Sequence, residues 1–371
     1  MPASRPISVL TRRELNRATL ARQLLLARSP LGVSAAIDRL AGLQAQYSPA
    51  PYVALWTRLA GFARDDLTRV LRRRSVVKAT LMRGTLHLVT ARDLPSYAAL
   101  VAHAGKQRFD AEAGHLGLDP AVVRTAIDEH LREPRSVDEL IAHLADRGGR
   151  ARHRGAIRWR LLAAHGGLIH AWPSGAWRVF GAGRLVAARH VLPGWRDLDH
   201  REALKCIARR YLAAFGPASP ADLTQWSGIP QVRWQPGLEA IAGELRSFRD
   251  EDGRVLLDLR RAPRPPAETA APVRFLGKWD SVLLAHARRD RVLPDGRWKR
   301  VVGPNGDVLP TFLVDGTVAG SWSVTRRGDE ALLTLSPFGR LDRATRQALE
   351  DEAEPLVRFL EPDAARHGVR T

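Results

Sequence analysis

Apolar residues recur at helical spacing through most of the first two thirds of the chain, and short alternating runs interrupt them at intervals. Thr11 to Glu14 (TRRE) has the form of a capping box, in which a hydroxyl and a carboxylate three residues apart satisfy the free end of a helix, and the run behind it predicts a helix to about Ala27. Further helices are expected from Val33 in VSAAIDRLAGLQAQ, behind Pro49 and Pro51 in PYVALWTRLAG, and from Asp65 in DDLTRVLRRR. The period then changes. In VVKATLMRGTLHLVT, β-branched residues alternate about a pivot at Arg83-Gly84, which predicts a hairpin.

The same order returns twice. Helices are expected at Asp119 to Arg132, at Ser136 to Asp146 with its SVDE capping box, and at Arg152 to His165. The hairpin LIHAWPSGAWRVF follows, turning at Pro173-Ser174-Gly175. A third set runs through REALKCIARRYLAAF, then SPADLTQWSG with Ser219 as cap and Pro220 in the first helical position, then PGLEAIAGELRSF. Its hairpin is Leu245 to Leu259, turning at Asp252-Gly253. Helices closed by a hairpin describe a winged helix, which sets a helix in a DNA groove and the hairpin against the backbone. Three tandem units are therefore expected, at 1–95, 96–195 and 196–262. Arg261 to Pro272 (RAPRPPAETAAP) reads as a linker into a β-rich domain over 273–371. That domain has paired strands in DVLPTFLVDGTVAGSWSV and EALLTLSPF, a tight turn at Asn305-Gly306, and a helix from Arg343 to Leu360 closing the chain. The fold class is α+β.

Charge adds a partner. Lys plus Arg outnumber Asp plus Glu by 58 to 39, a formal +19, which points to a polyanion and first to nucleic acid. Coding bias accounts for arginine over lysine but not for the excess over acids. Cys206 is the only cysteine, so no intramolecular disulfide can form, and the absence of an apolar leader or span leads us to expect a cytoplasmic protein away from membranes. No HExxH, paired CxxC, Walker loop or GxGxxG follows from the residues, and the histidines are scattered, so neither a metal nor a cofactor is expected. The tryptophans Trp159, Trp172, Trp177, Trp226 and Trp234 are expected in the core.

Gln44 and Gln46 end the second expected helix just before the proline-broken loop, and by spacing alone such a pair is ordinarily solvated. Taken with PYVALWTRL, LMRGTLHLV through His87, GKWDSVLLAH at Gly277 to His286 and the segment Asp315 to Trp322, the GLQAQ context resembles the AlkZ/YcaQ family of winged-helix DNA glycosylases over nearly the whole chain. The resemblance implies a concave basic scaffold of three winged helices with a C-terminal β-rich domain. It also implies a catalytic motif of two polar residues flanking an apolar one, here Gln44 and Gln46. One branch of the family carries an aspartate where Gln46 stands. The chain is similar to the other, AlkZ-like branch, associated with self-resistance to DNA-alkylating antibiotics.

The chemistry is consistent with two amides. A carboxamide is no strong base, so the leaving group must already be activated, as a purine alkylated at guanine N7 or adenine N3 is by its positive charge. The expected activity is monofunctional hydrolysis of the N-glycosidic bond of such purines in double-stranded DNA, with the protein acting as a monomer. Arg83 and His87 on the first hairpin, and Asn305 and Gly306 on a hairpin spanning Val301 to Val314, are expected to approach the lesion. Arg152, Arg154 and Arg158 are expected to meet phosphates. A winged-helix transcriptional regulator is the alternative that fold alone leaves open.

Overall fold

The computed structural model describes residues 7–146, 156–181, 183–294, 296–304 and 306–371, with residues 156–159 described through their backbone. The Thr11 capping box forms: Thr11 Oγ1 accepts from Glu14 N at 3.2 Å and Thr11 N donates to Glu14 Oε2 at 2.7 Å. The helix it starts, Arg12–Arg22, stops short of Ala27 because Leu24 takes a left-handed φ of 57°. Helices Val33–Arg39, Ala50–Arg58 and Arg64–Arg72 follow. The first hairpin then forms from strands Val76–Thr80 and Leu86–Thr90.

The second hairpin departs from expectation. Leu168–His170 pairs with Leu185–Ala187, so Pro173-Ser174-Gly175 lies in a loop and the return strand is not Ala176 to Phe180. Burial decides this, since all three residues of Leu185–Ala187 are buried whereas Phe180 is 62% exposed. Leu168–His170 also pairs with Val76–Thr80, so both hairpins belong to one antiparallel sheet. Its order is Leu43–Gln44, Leu86–Thr90, Val76–Thr80, Leu168–His170, Leu185–Ala187.

A 22-residue helix, Leu94–His115, has no counterpart in the sequence reading. Its alanine-rich surface shows no single apolar stripe because it packs on helix Ala156–His165 and on helix His200–Phe215 at once. Helices Pro120–His130 and Val137–Asp146 stand where the sequence places them, and Ser136 and Glu139 form their capping box. Helix Pro220–Ser227 starts on Ser219 with Pro220 in its first turn. The stretch from Pro236 gives only a short helix, Gln235–Glu239, before strand Leu245–Asp250 turns back as Val255–Leu259. Val9–Leu10 joins this third hairpin as a parallel strand.

The C-terminal sheet runs Arg366–Arg370, Glu330–Pro337, Thr317–Arg327, Thr311–Val314, Arg274–Leu276, and helix Arg343–Leu360 packs against it. The helix has the expected bounds but does not close the chain, because Arg366–Arg370 returns parallel to Glu330–Pro337. Val301 to Val314 is not one hairpin either. A single bridge joins Val302 to Val308, while Thr311–Val314 pairs forward with Thr317–Arg327 around Asp315 and Gly316.

Two fully buried ion pairs fasten these parts. Arg22 pairs with Asp258 at 2.7 Å, and Arg58 pairs with Asp280 at 2.8 Å. Gly277 lets the C-terminal domain touch helix Ala50–Arg58, for a Cβ there would meet the Ala50 carbonyl oxygen at 3.2 Å and Val53 Cβ at 3.3 Å.

Candidate active site

Helix Val33–Arg39 ends where Ala41 and Gly42 take φ values of 57° and 89° and reverse the chain. Only glycine fits the second position, since an added Cβ would lie 3.0 Å from Val89 Cγ1 and 3.2 Å from the Leu88 carbonyl oxygen. The glutamines therefore do not end a helix. Leu43–Gln44 is a short strand, with Leu43 opposite Leu88 and Gln44 opposite His87, and Ala45 N continues the ladder to Leu86 O at 2.7 Å. The two-residue period of a strand explains the motif. Ala45, 1% exposed, faces the core between Gln44 on the strand and Gln46 in the bend that follows.

Gln44 is buried and Gln46 exposed. Each side-chain carbonyl accepts one protein hydrogen bond: Gln44 Oε1 from Arg83 Nη2 at 2.9 Å, and Gln46 Oε1 from Leu86 N at 3.2 Å. A carbonyl oxygen has two lone pairs, so each keeps one, together with its amide protons, for a ligand or water. Among the described residues no carboxylate touches either amide.

Arg83 occupies the tip of the first hairpin with a left-handed φ of 56°. Its Nη1 donates to the Trp226 carbonyl in the last turn of helix Pro220–Ser227, where the helix's negative end favours a cation. Burial pulls the guanidinium down to about 10, which leaves it charged at neutral pH. His87 lies on the same sheet face as Gln44, and its Nδ1 donates to Thr85 O at 2.9 Å. Burial, and then the charge of Arg83, push it to about 3, so it is a neutral imidazole. The first hairpin thus brings Gln44, Gln46, Arg83 and His87 together. Lys78, on the strand next to His87, pairs with Leu88 in register and so faces the other side of the sheet.

The remaining expected contacts are not gathered with them. Arg152, Arg154 and Asn305, and the side chain of Arg158, lie outside the described residues. Gly306 sits in the turn that Gly303 N closes on Asp307 O at 2.8 Å, and its carbonyl accepts from Trp279 Nε1 at 3.1 Å. Trp226 and Trp234 are core residues, whereas Trp172 is 41% exposed with Arg72 over its ring at 5.0 Å. Trp177 is half-buried, and the Trp159 side chain lies outside the described residues.

Most of the family-like segments turn out to fasten the scaffold. Asp280 of GKWDSVLLAH takes Arg58, and His286 meets the Phe215 carbonyl at 2.9 Å. Asp315 receives Arg13 and Arg17, while Trp322 Nε1 donates to Leu276 O at 3.0 Å. Two residues that the sequence reading passed over flank the site. Tyr47, next after Gln46, stacks on Phe180 at 5.8 Å, and Lys278 lies 5.6 Å from the Tyr47 ring while pairing with Asp307 at 2.9 Å. Tyr47 had a signal in its position, directly after the motif; Lys278 had none until the C-terminal domain was docked.

Among the described residues no cluster of three or more His, Cys, Asp or Glu is placed to hold a metal ion, and no helix is long and apolar enough to cross a membrane. The protein resembles the solved Streptomyces sahachiroi DNA glycosylase AlkZ with a TM-score of 0.82 at 22% identity, covering 98% of this chain and 100% of that one. It is 27% identical over 358 residues to the interstrand DNA cross-link repair glycosylase of the same organism, covering 91% of this chain and 93% of that protein. The model of the AlkZ-like DNA glycosylases matches residues 37–359, from the helix ahead of the paired glutamines to the last helix of the C-terminal domain. With the fold and this match in agreement, the chain belongs to the AlkZ-like DNA glycosylases.

Proposed function

We propose that the protein hydrolyses the N-glycosidic bond of cationic alkylated purines in duplex DNA, with Gln44 and Gln46 as the catalytic pair. The observation that carries this reading is the pair itself: two amides on the same short segment, each bonded through its carbonyl to the first hairpin, with a charged guanidinium on Gln44 and, among the described residues, no carboxylate in contact. Such a site has no strong acid or base, so it suits a base that leaves unaided. When the glycosidic bond breaks, its electron pair moves onto the purine nitrogen and cancels the positive charge of the alkylated ring. The sugar becomes oxocarbenium-like, water adds at C1′, and its proton passes to solvent. Products are the neutral base and an abasic site. The free lone pairs of Gln44 and Gln46 hold the water and face the developing cation.

The preferred lesions in this reading are bulky N7-alkylguanine adducts and interstrand crosslinks, in keeping with the name of the Streptomyces sahachiroi relative, and the biological role is self-resistance to a genotoxic natural product. An open cleft suits bases that cannot rotate into a closed pocket. The helices and hairpins are read as three winged-helix units over 1–95, 96–195 and 196–262, with the β-rich domain over 273–371. Arg83, His87 and Gly306 then face the lesion, Asn305 with them, while Arg152, Arg154 and Arg158 take phosphates.

The test is base release from a duplex carrying 7-methylguanine or a bulkier N7 adduct. The variant with Gln44→Ala and Gln46→Ala is expected to lose release while binding DNA within a few-fold of the parent. Each amide should be worth about 10² to 10³ in rate. Release by the double variant at the parent rate would refute the assignment.

A further inference from the structure

Arg83, which holds Gln44, also lines a cavity of about 240 Å³ between the tip of the first hairpin, helices Leu94–His115 and Ala156–His165, and the end of helix Pro220–Ser227. Its charged lining is Arg83 and Arg108. Among the described residues no carboxylate lines it, and neither arginine pairs with one. The buried Arg17, Arg22 and Arg58 each meet an aspartate, whereas Arg83 bonds only to the Trp226 carbonyl and Gln44.

The remaining wall is made of small and apolar residues with Ser227, and three of them are glycines. Gly84, Gly105 and Gly228 line the cavity, and two of them are sterically required. A Cβ on Gly228 would lie 3.2 Å from Arg83 Cα and 3.3 Å from Arg83 Cγ, and one on Gly105 would lie 2.8 Å from Ala164 Cβ. The hairpin tip is thus seated on the helix end with its guanidinium held inward. A water claims about 30 Å³, so the space admits a tetrahedral anion with solvent around it.

We propose that this cavity binds a backbone phosphodiester of the damaged strand, flanking the lesion nucleotide, between Arg83 and Arg108. The inference rests on the glycosylase reading, because Arg83 is the side chain that also holds Gln44. It resolves a difficulty in that reading. A bare guanidinium in contact with Gln44 opposes the positive charge that grows on the sugar. A phosphate on its other donors cancels that charge and leaves the hydrogen bond to Gln44 intact. Guanidinium has five N–H donors, and the Trp226 carbonyl and Gln44 take one each. Arg83 is in this view a positioning residue, which passes the location of the backbone to the catalytic amide, and Arg108, exposed on its helix, is a phosphate contact alone.

Methylphosphonate substitution tests this one phosphate at a time. The probe is a duplex containing a 2′-fluoro-7-methylguanine nucleotide, whose glycosidic bond resists cleavage, with a neutral methylphosphonate at each position near the lesion. One substitution next to the lesion is expected to weaken binding by the parent protein about ten-fold. Arg108→Ala is expected to weaken binding to the unsubstituted duplex similarly, to lower the salt slope by about 1, and to show a smaller penalty from that same methylphosphonate, because only Arg83 then meets the phosphate. In turnover of the cleavable 7-methylguanine duplex, the methylphosphonate should lower kcat, because Gln44 then lies beside an uncancelled charge. A methylphosphonate penalty that persists undiminished in Arg108→Ala, or no penalty at either flanking position, would overturn the proposal. Failure of the parent to release 7-methylguanine would strike the glycosylase reading instead, and the binding measurements would still decide the phosphate site.

Discussion

Arg58 shows how single residues set the geometry on which the site depends. Its guanidinium is buried and donates to Asp280 through both terminal nitrogens at 2.8 Å, and also to the Gln23 and Ala54 carbonyls. Asp280 in turn accepts from Val282 N, so one ion pair ties helix Ala50–Arg58, which follows the glutamine segment, to the turn after strand Arg274–Leu276. Removing one partner strands the other charge away from water, which is far costlier than removing both. Arg58→Ala is expected to lose about 3–5 kcal/mol of stability in urea unfolding. Arg58→Met combined with Asp280→Leu should lose clearly less than that single change. Equal losses would mean that the pair is not desolvated as described.

At the scale of elements, the placement of the proposed catalytic pair depends on a short strand and the bend that follows it. Ala45 is packed at 1% exposure in the cluster with Leu40, Tyr52 and Leu88, and its N–H is bonded to Leu86, so the register of Gln44 and Gln46 is fixed on both sides. A one-residue slip in a strand sends following side chains to the opposite face. Inserting one alanine after Ala45 is therefore expected to abolish base release as fully as Gln46→Ala does, while DNA binding persists. Retained release after the insertion would show that the side chains reach the lesion independently of the pleat. Ala45→Leu tests the same point from beneath, by overpacking that costs about 1–3 kcal/mol and tilts both amides.

At the scale of the molecule, the fold buries several histidines in neutral form beside arginine or lysine. Burial, aided by Arg83, holds His87 at about 3; burial, aided by Arg124 and Arg189, does the same to His165; burial and Lys78 hold His170 at about 4. An unfolded histidine titrates near 6.5, so between that value and the folded ones the unfolded chain binds more protons. Stability is then fully present above about pH 6.5 and falls as pH drops toward about 4. Thermal melts from pH 7.5 down to 5, above the main carboxylate range, should show Tm declining, and His87→Gln should reduce the decline. A flat Tm across that window would contradict the buried neutral state. The formal charge of +19 acts at this scale too, by drawing the whole molecule to DNA in a salt-dependent way.

The sequence by itself determined the local pieces and the family. Capping boxes at Thr11, Ser136 and Ser219, the turns at Arg83-Gly84 and Asp252-Gly253, and the bounds of Arg343–Leu360 were legible because they rest on contacts a few residues apart. The glutamine pair was singled out only through its family context, since its spacing alone is ordinary. Tertiary structure alone decided what depends on distant partners. Helix Leu94–His115 carries no stripe because two neighbours cover it, and the second hairpin returns at Leu185 because the shared sheet needs a fully buried strand there. Gln44 is on a strand, with Gln46 just beyond its end, because Leu86–Thr90 is beside the segment to pair with. Periodicity reports which face of a segment is covered; it does not report by what, and that choice places Arg83 against Gln44.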